Sequence, residues 1–171
     1  MNQIHIQYYK TDYAEFILGS YEGKLCMLDY RYRKMRNSVD ARLQKFFNAQ
    51  YVEQDDSILK ETRKQLDEYF EGKRTRFDIA LVMAGSDFQC SVWNALLEIP
   101  YGKIASYLEL SKIIGNEKAV RAVANANGAN AMSIIIPCHR IIGTNGKLTG
   151  YAGGLALKKK LLELENNLFT S

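Results

Sequence analysis

The fold of the second half of this chain is decided by residues 106–128, which read SYLELSKIIGNEKAVRAVANANG. The segment opens with Ser106, followed three positions later by Glu109, and this capping box predicts the start of a helix. Gly115 predicts its end, and the alanine-rich stretch 117–124 predicts a second helix, which Asn116 can cap. Two helices joined by a glycine turn within about twenty residues are typical of a helix-turn-helix unit, although many such pairs merely pack together.

Downstream of the helix pair, residues 134–140 read IIIPCHR and place a thiol beside an imidazole. The thiolate is the nucleophilic form of cysteine, and an unperturbed thiol with a pKa of about 8.5 is little ionised at neutral pH. His139 and nearby positive charge favour the thiolate, and Pro137 fixes the turn that presents the sulfur. The alternatives are that Cys138 is a small core residue and that His139 is structural. Their proximity favours a reactive cysteine.

The remaining pattern divides the chain into two regions. Residues 88–99 repeat apolar side chains at helical spacing, so the second half is predicted as helices with one extended segment. The first half alternates strand-like runs, such as residues 25–30, with helical patterns and carries no chemical motif. We therefore expect an α/β protein with a small N-terminal sheet-plus-helix domain over residues 1–80 and a mainly helical domain over residues 81–171. Gly85 is an alternative boundary.

The composition is that of an ordinary globular protein of 171 residues, 47% of them hydrophobic. No apolar run approaches the ~20 residues of a membrane helix, and the first residues lack the pattern of a signal peptide. We therefore expect no membrane association and a cytoplasmic location, with the nucleoid if the source is bacterial or in the nucleus if it is eukaryotic. The three cysteines have no paired or metal-ligand spacing, so no disulfide, metal or cofactor is expected.

The charge is concentrated in the second half. The net charge of the chain is only +4, but residues 102–160 contain nine Lys or Arg residues and two Glu residues, a net charge of +7. Such a distribution predicts a surface for a polyanion such as nucleic acid. A solvated basic face without a partner is the alternative.

The second half resembles the O6-alkylguanine-DNA alkyltransferases, also called methylated-DNA–protein-cysteine methyltransferases. The resemblance rests on residues 134–140 together with residues 150–155, GYAGGL, and it spans residues 88–165. Further matching segments are Val92-Trp93, Tyr101-Gly102-Lys103, Ser106-Tyr107 and Arg121-Ala122-Val123-Ala124. The first half corresponds to the variable domain of that family.

The resemblance implies DNA repair by transfer of an alkyl group from O6 of guanine in duplex DNA to Cys138, with O4-alkylthymine as a second candidate substrate. The thioether that forms is not hydrolysed, so each molecule acts once as a methylated-DNA–protein-cysteine S-methyltransferase. The modified base lies within a stacked duplex and must be flipped out of it. The implied partner is double-stranded DNA with an alkylated guanine, bound through its minor groove by a monomer.

The resemblance also implies roles for individual residues. His139 takes the proton of Cys138 through a water, and Glu165 holds the imidazole in the required tautomer. Asn130 braces the turn before the isoleucine run. The residues with implied roles in DNA binding are Tyr107, Asn116, Arg121 and Thr144, and those implied for the substrate pocket are Tyr107, Ile141, Tyr151 and Ala152.

Two of these residues carry the implied flipping step. Arg121 fills the space that the flipped base leaves, and Tyr107 forces the rotation and donates its hydroxyl to the departing purine. Without the resemblance, Arg121 and Glu165 are interpreted as surface charges and Tyr107 as core. Ala152 stands where a serine is common in the family, which bears on the tolerance for large alkyl groups. Residues 127–129 replace a bulkier, more basic turn.

Three other functions are compatible with parts of the sequence. A helix-turn-helix regulator with a sensing cysteine would normally show a second DNA-binding segment or a dimerisation helix, and none is evident. A lesion-recognition protein without transfer is the second alternative, but such relatives carry tryptophan at the position of Cys138. A cysteine hydrolase would need an oxyanion hole and would turn over repeatedly.

Overall fold

The computed structural model describes residues Asn2–Asn166. The chain forms two compact units, Met1–Gly85 and Ser86–Ser171. The first contains strands β1 (Asn2–Lys10), β2 (Glu15–Tyr21), β3 (Lys24–Tyr30) and β4 (Ala49–Glu53) and helices α1 (Arg36–Phe47) and α2 (Ser57–Phe70). The second contains α3 (Asp87–Leu97), β5 (Ala105–Ser106), α4 (Tyr107–Ile113), α5 (Val120–Gly128), β6 (Ile141–Ile142) and α6 (Leu155–Glu165). None of the helices described is long and apolar enough to cross a membrane.

The first unit is a four-stranded sheet with two helices. The strand order is β3-β2-β1-β4, antiparallel except for the β1–β4 pair. Asp56 caps α2 by accepting a hydrogen bond from the Leu59 backbone N–H at 2.9 Å, and Gly72 follows the helix at φ 74°. Leu66 and Tyr69 of α2 are fully buried. The predicted sheet-plus-helix architecture is confirmed.

The division between the units lies beyond residue 80. The backbone N–H of Leu25 in β3 donates to Ala80 O, and the N–H of Val82 donates to Leu25 O, both at 2.9 Å. These hydrogen bonds attach residues 80–82 to the first sheet, so the first unit continues to Gly85.

The second unit begins with a capped helix and the expected helix-turn-helix. Side-chain capping boxes open α3 and α4, the second formed by Ser106 and Glu109 as predicted. Gly115, at φ 79°, ends α4. The predicted cap at Asn116 is wrong: its side chain makes no capping hydrogen bond, because residues 117–119 form a 3₁₀ turn and α5 begins only after them. The indole N–H of Trp93 in α3 donates to Ala126 O of α5 at 2.9 Å and connects these two helices.

The short parallel pair of β5 and β6 joins the residues just before α4 to the residues just after the IIIPCHR segment. Ala105 pairs with Ile141, and Ser106 pairs with Ile142. The isoleucine run itself is not a strand, because residues 132–136 form tight turns. The pairing places Tyr107, which follows β5, close to the segment that carries Cys138.

Candidate active site

Cys138 begins a 3₁₀ turn that spans Cys138–Arg140, directly after Pro137. Only 5% of its surface is exposed. The side-chain amide of Asn130 lies 3.3 Å from the Cys138 Sγ, oriented to donate to it, and also donates to Ile136 O at 2.8 Å. A neutral donor at the sulfur favours its anionic form, because a thiolate accepts hydrogen bonds better than a thiol.

His139, Arg140 and Glu165 form a buried group beside the cysteine. His139 Nε2 lies 2.7 Å from Glu165 Oε2. Arg140 donates through Nε to Glu165 Oε1 at 2.8 Å and through Nη2 to Oε2 at 3.0 Å. Its Nη1 donates to Ile99 O at 2.6 Å. The carboxylate of Glu165 is therefore held at both oxygens by the guanidinium and the imidazole.

The protonation states follow from burial and charge. Burial lowers the pKa of His139, and this effect outweighs the hydrogen bond and charge of Glu165, which raise it. Burial acts to raise the pKa of Glu165, but hydrogen bonds and charges from His139 and Arg140 lower it to about 2. At neutral pH the imidazole is thus neutral and the carboxylate ionised. The carboxylate accepts, so the proton of the neutral ring is on Nε2.

The other ring nitrogen has no hydrogen-bond partner among the residues described. His139 is fully buried, and Nδ1 retains its lone pair when the proton is on Nε2. A buried, unsatisfied acceptor is unusual in a protein interior and is typical of a group that acts on a proton or water. Nδ1 of His139, the residue that follows Cys138, is therefore available as a base.

Lys158 of α6 adds a buried positive charge to the site. Its side chain is fully buried, and Nζ donates to Thr149 O at 3.1 Å. Burial lowers the pKa of the Lys158 ammonium, while the charge of Cys138 raises it. Because this attraction is mutual, the ammonium favours the thiolate of Cys138.

The other two cysteines are in a different environment. Burial raises the pKa of Cys26 to about 12 and raises the pKa of Cys90 above its ordinary value. Neither is activated as a nucleophile.

The predicted pocket residues lie on the segments next to this group. Thr149 donates its hydroxyl to the Tyr107 hydroxyl oxygen at 3.1 Å. The ring of Tyr151 packs edge-on against His139, with 6.4 Å between centroids. Ile141 is fully buried in β6, and Ala152 lies half-buried in the turn before α6.

The predicted DNA-binding residues other than Tyr107 lie on the surface of the second unit. Arg121, near the start of α5, is exposed, and so are Asn116 in the turn before it and Thr144 in the loop after β6. None of the three side chains makes a hydrogen bond or ion pair with another described residue. They are not part of the buried group around Cys138.

Sequence reasoning missed two residues of the site. Arg140 and Lys158 were counted in the basic surface of residues 102–160, but both are buried and their charges act inside the protein. The position of Arg140 next to His139 was a signal for the first. Lys158 follows Leu157 and precedes Leu161 and Leu162 on the buried face of α6, which was a signal for the second. Within Asn2–Asn166, no group of three or more His, Cys, Asp or Glu side chains is arranged to hold a metal ion.

The fold and this geometry define a class of protein, in which a buried cysteine next to a buried histidine–glutamate pair lies in a helix-turn-helix domain. Comparison with known proteins agrees. The DNA-binding domain model of the 6-O-methylguanine DNA methyltransferases matches residues 87–167, and the ribonuclease-like domain model of the same proteins matches residues 4–83.

Individual relatives extend the match over nearly the whole chain. A methylated-DNA–protein-cysteine methyltransferase of Methanosarcina barkeri is 45% identical over 151 residues, 88% of this chain and 90% of the relative. One from Methanosarcina acetivorans is 53% identical over 114 residues, 67% of this chain and 73% of the relative. The crystal structure of Mycobacterium tuberculosis OGT in complex with DNA superimposes with a TM-score of 0.81 at 38% identity, covering 95% of this chain and 93% of that one. The chain belongs to the 6-O-methylguanine DNA methyltransferase family.

The pKa shifts predict how stability depends on pH. In the unfolded chain His139 titrates near pH ~6.5 and Glu165 near pH ~4.3. The pKa values of both groups are lower in the folded protein than in the unfolded chain. The stability they contribute is therefore complete above the unfolded pKa values and is lost as the pH falls below those unfolded values. We expect the free energy of unfolding to fall below pH ~6.5, by at most about 1.4 kcal/mol per pH unit for His139. A second decline is expected below pH ~4.3.

The measurement is urea unfolding followed by circular dichroism over this pH range. The contribution of His139 is the difference in the free energy of unfolding between the wild-type protein and His139→Gln, which keeps a donor for Glu165. If this difference does not change between pH 7.5 and 5, the buried imidazole does not resist protonation.

Proposed function

We propose that this protein repairs duplex DNA by moving the alkyl group of O6-alkylguanine, and of O4-alkylthymine, to Cys138 in a single irreversible transfer. The observation that carries the proposal is the position of Cys138, with its sulfur at the Asn130 amide and a neutral, buried imidazole beside it. Family membership supports the same reaction, because the relatives are named for it.

The first step is loss of the thiol proton. Neutral His139 accepts it at Nδ1, through a bridging water, and becomes an imidazolium whose Nε2–H still donates to Glu165. The ionised Glu165 stabilises this cation as a catalytic carboxylate does in a triad. Arg140 acts as a positioning residue, because its hydrogen bonds keep the carboxylate of Glu165 in place for His139.

The second step is in-line displacement at the alkyl carbon. The Cys138 thiolate forms the S–C bond, the C–O6 bond breaks, and its electron pair remains on the guanine ring. Tyr107 is the donor for that developing charge: its oxygen accepts from Thr149, which leaves its own O–H available for the purine. Ile141, Tyr151 and Ala152 surround the base in this proposal.

The DNA is held by the exposed face of α5. Arg121, Ala122, Asn125 and Gly128 are the exposed residues of this helix. Three of them are small, so the backbone can approach a shallow minor groove, while Arg121 enters the base stack in place of the flipped nucleotide. Asn116 and Thr144 contact phosphates at either side. We propose that the protein binds DNA as a monomer, with the nucleoid in a bacterial cell or in the nucleus of a eukaryotic one.

The transfer predicts one methyl group on Cys138. The protein is mixed with an excess of duplex oligonucleotide that carries one O6-methylguanine and is analysed by intact and peptide mass spectrometry. We expect one methyl group per protein molecule, located on Cys138, unchanged in Cys90→Ala and absent in Cys138→Ala. A protein that binds the modified duplex but stays unmethylated would instead be a lesion-recognition or regulatory protein.

The flipping role predicts a specific defect for Arg121→Ala. The control is Lys118→Ala, which removes the same charge from the exposed turn before α5. Both variants should lose a similar factor in affinity for unmodified duplex, because each loses one charge. Only Arg121→Ala should slow methyl transfer from duplex further, by about tenfold or more, because unstacking the base requires a few kcal/mol. Equal transfer rates for the two variants would exclude the role.

A further inference from the structure

Ile134 has a backbone conformation that isoleucine rarely adopts. Its φ is 72°, and the only other non-glycine residues of the described chain with positive φ are Glu22 and Asn48. The backbone N–H of Ile135 donates to Ser133 O at 2.8 Å, which closes a γ-turn around Ile134. A γ-turn of positive φ is rare and strained, most of all for a β-branched residue.

A second γ-turn follows and ends at the nucleophile. Pro137 has φ −81° and ψ 62°, and the N–H of Cys138 donates to Ile136 O at 2.8 Å. This is the common inverse γ-turn, which the fixed φ of proline favours. Only the first of the two turns is strained.

The side chain of Asn130 forms hydrogen bonds at both turns. Its Oδ1 accepts from the Met132 N–H at 2.9 Å, and its amide donates to Ile136 O and to the Cys138 sulfur. Ile134 lies between these attachment points, and only 1% of its surface is exposed. The turn is therefore held at both ends by Asn130 and in the middle by the burial of the isoleucine side chain.

We propose that Ile134 is a positioning residue for the alkyl transfer, because its buried side chain holds the backbone in the strained turn that keeps the Cys138 sulfur at the Asn130 amide. The proposal rests on the proposed function in that Cys138 is the reactive thiol. Strained backbone persists only where surrounding structure enforces it. Without the side chain, an L-residue at position 134 returns to negative φ, and the residues that follow, including Cys138, are displaced.

The test compares Ile134→Ala with Ile134→Gly. Both variants lose the packing of the isoleucine, but only glycine adopts positive φ without strain. The readout is the rate at which iodoacetamide modifies Cys138, followed peptide by peptide across a range of pH. We expect Ile134→Gly to keep the wild-type pH profile and Ile134→Ala to react about tenfold more slowly, because fewer molecules hold the reactive geometry. Ile134→Val, which keeps the β-branch, should behave as the wild type.

The matched control is the pair Ile135→Ala and Ile135→Gly, at a buried neighbour that has no positive φ. There glycine should react no faster than alanine, since it only adds backbone freedom. Iodoacetamide needs no DNA, so this result is independent of the repair assay. If a variant is unfolded in buffer, the comparison is repeated in trimethylamine oxide, which stabilises compact states. Equal rates for Ile134→Ala and Ile134→Gly, or a faster alanine variant, would overturn the proposal.

Discussion

The site depends on one buried carboxylate. Glu165 is stable as an anion inside the protein only because Arg140 and His139 occupy its two oxygens. In return it fixes which nitrogen of His139 carries the proton. That choice leaves the other nitrogen of His139, the residue that follows Cys138, free as a base. A variant without Arg140 would keep the histidine and the cysteine but would lose the guanidinium charge that holds Glu165 in place for His139.

A second constraint connects the helix-turn-helix to Cys138. Asn130 follows the second helix by two residues, and its amide contacts the Cys138 sulfur. Because α5 also provides the exposed Arg121, a single element connects the proposed DNA-binding surface with the thiol. The turns between Asn130 and Cys138 are short and hydrogen-bonded, so little freedom separates the two ends.

Local signals in the sequence predicted much of this arrangement. The capping box at Ser106 and Gly115 predicted α4 correctly, since both act within one helical turn. The cap at Asn116 was wrong, because residues 117–119 form a 3₁₀ turn, which the sequence pattern does not distinguish from an α-helix. The environments of Arg140 and Lys158 depend on contacts 25 and 9 residues away along the chain, so their burial could not be predicted from charge alone. The strained φ of Ile134 opposes its own propensity and is imposed by tertiary packing.

The proposed chemistry requires that His139 is neutral in the folded protein, with its proton on Nε2 and no proton on Nδ1. The most direct test is ¹⁵N nuclear magnetic resonance of the histidine ring, which distinguishes the two tautomers and the imidazolium. We expect the neutral Nε2–H form at neutral pH and also at pH ~6.5, the ordinary pKa of histidine, because burial lowers the pKa of His139. An imidazolium at neutral pH, or a neutral ring protonated on Nδ1, would contradict it.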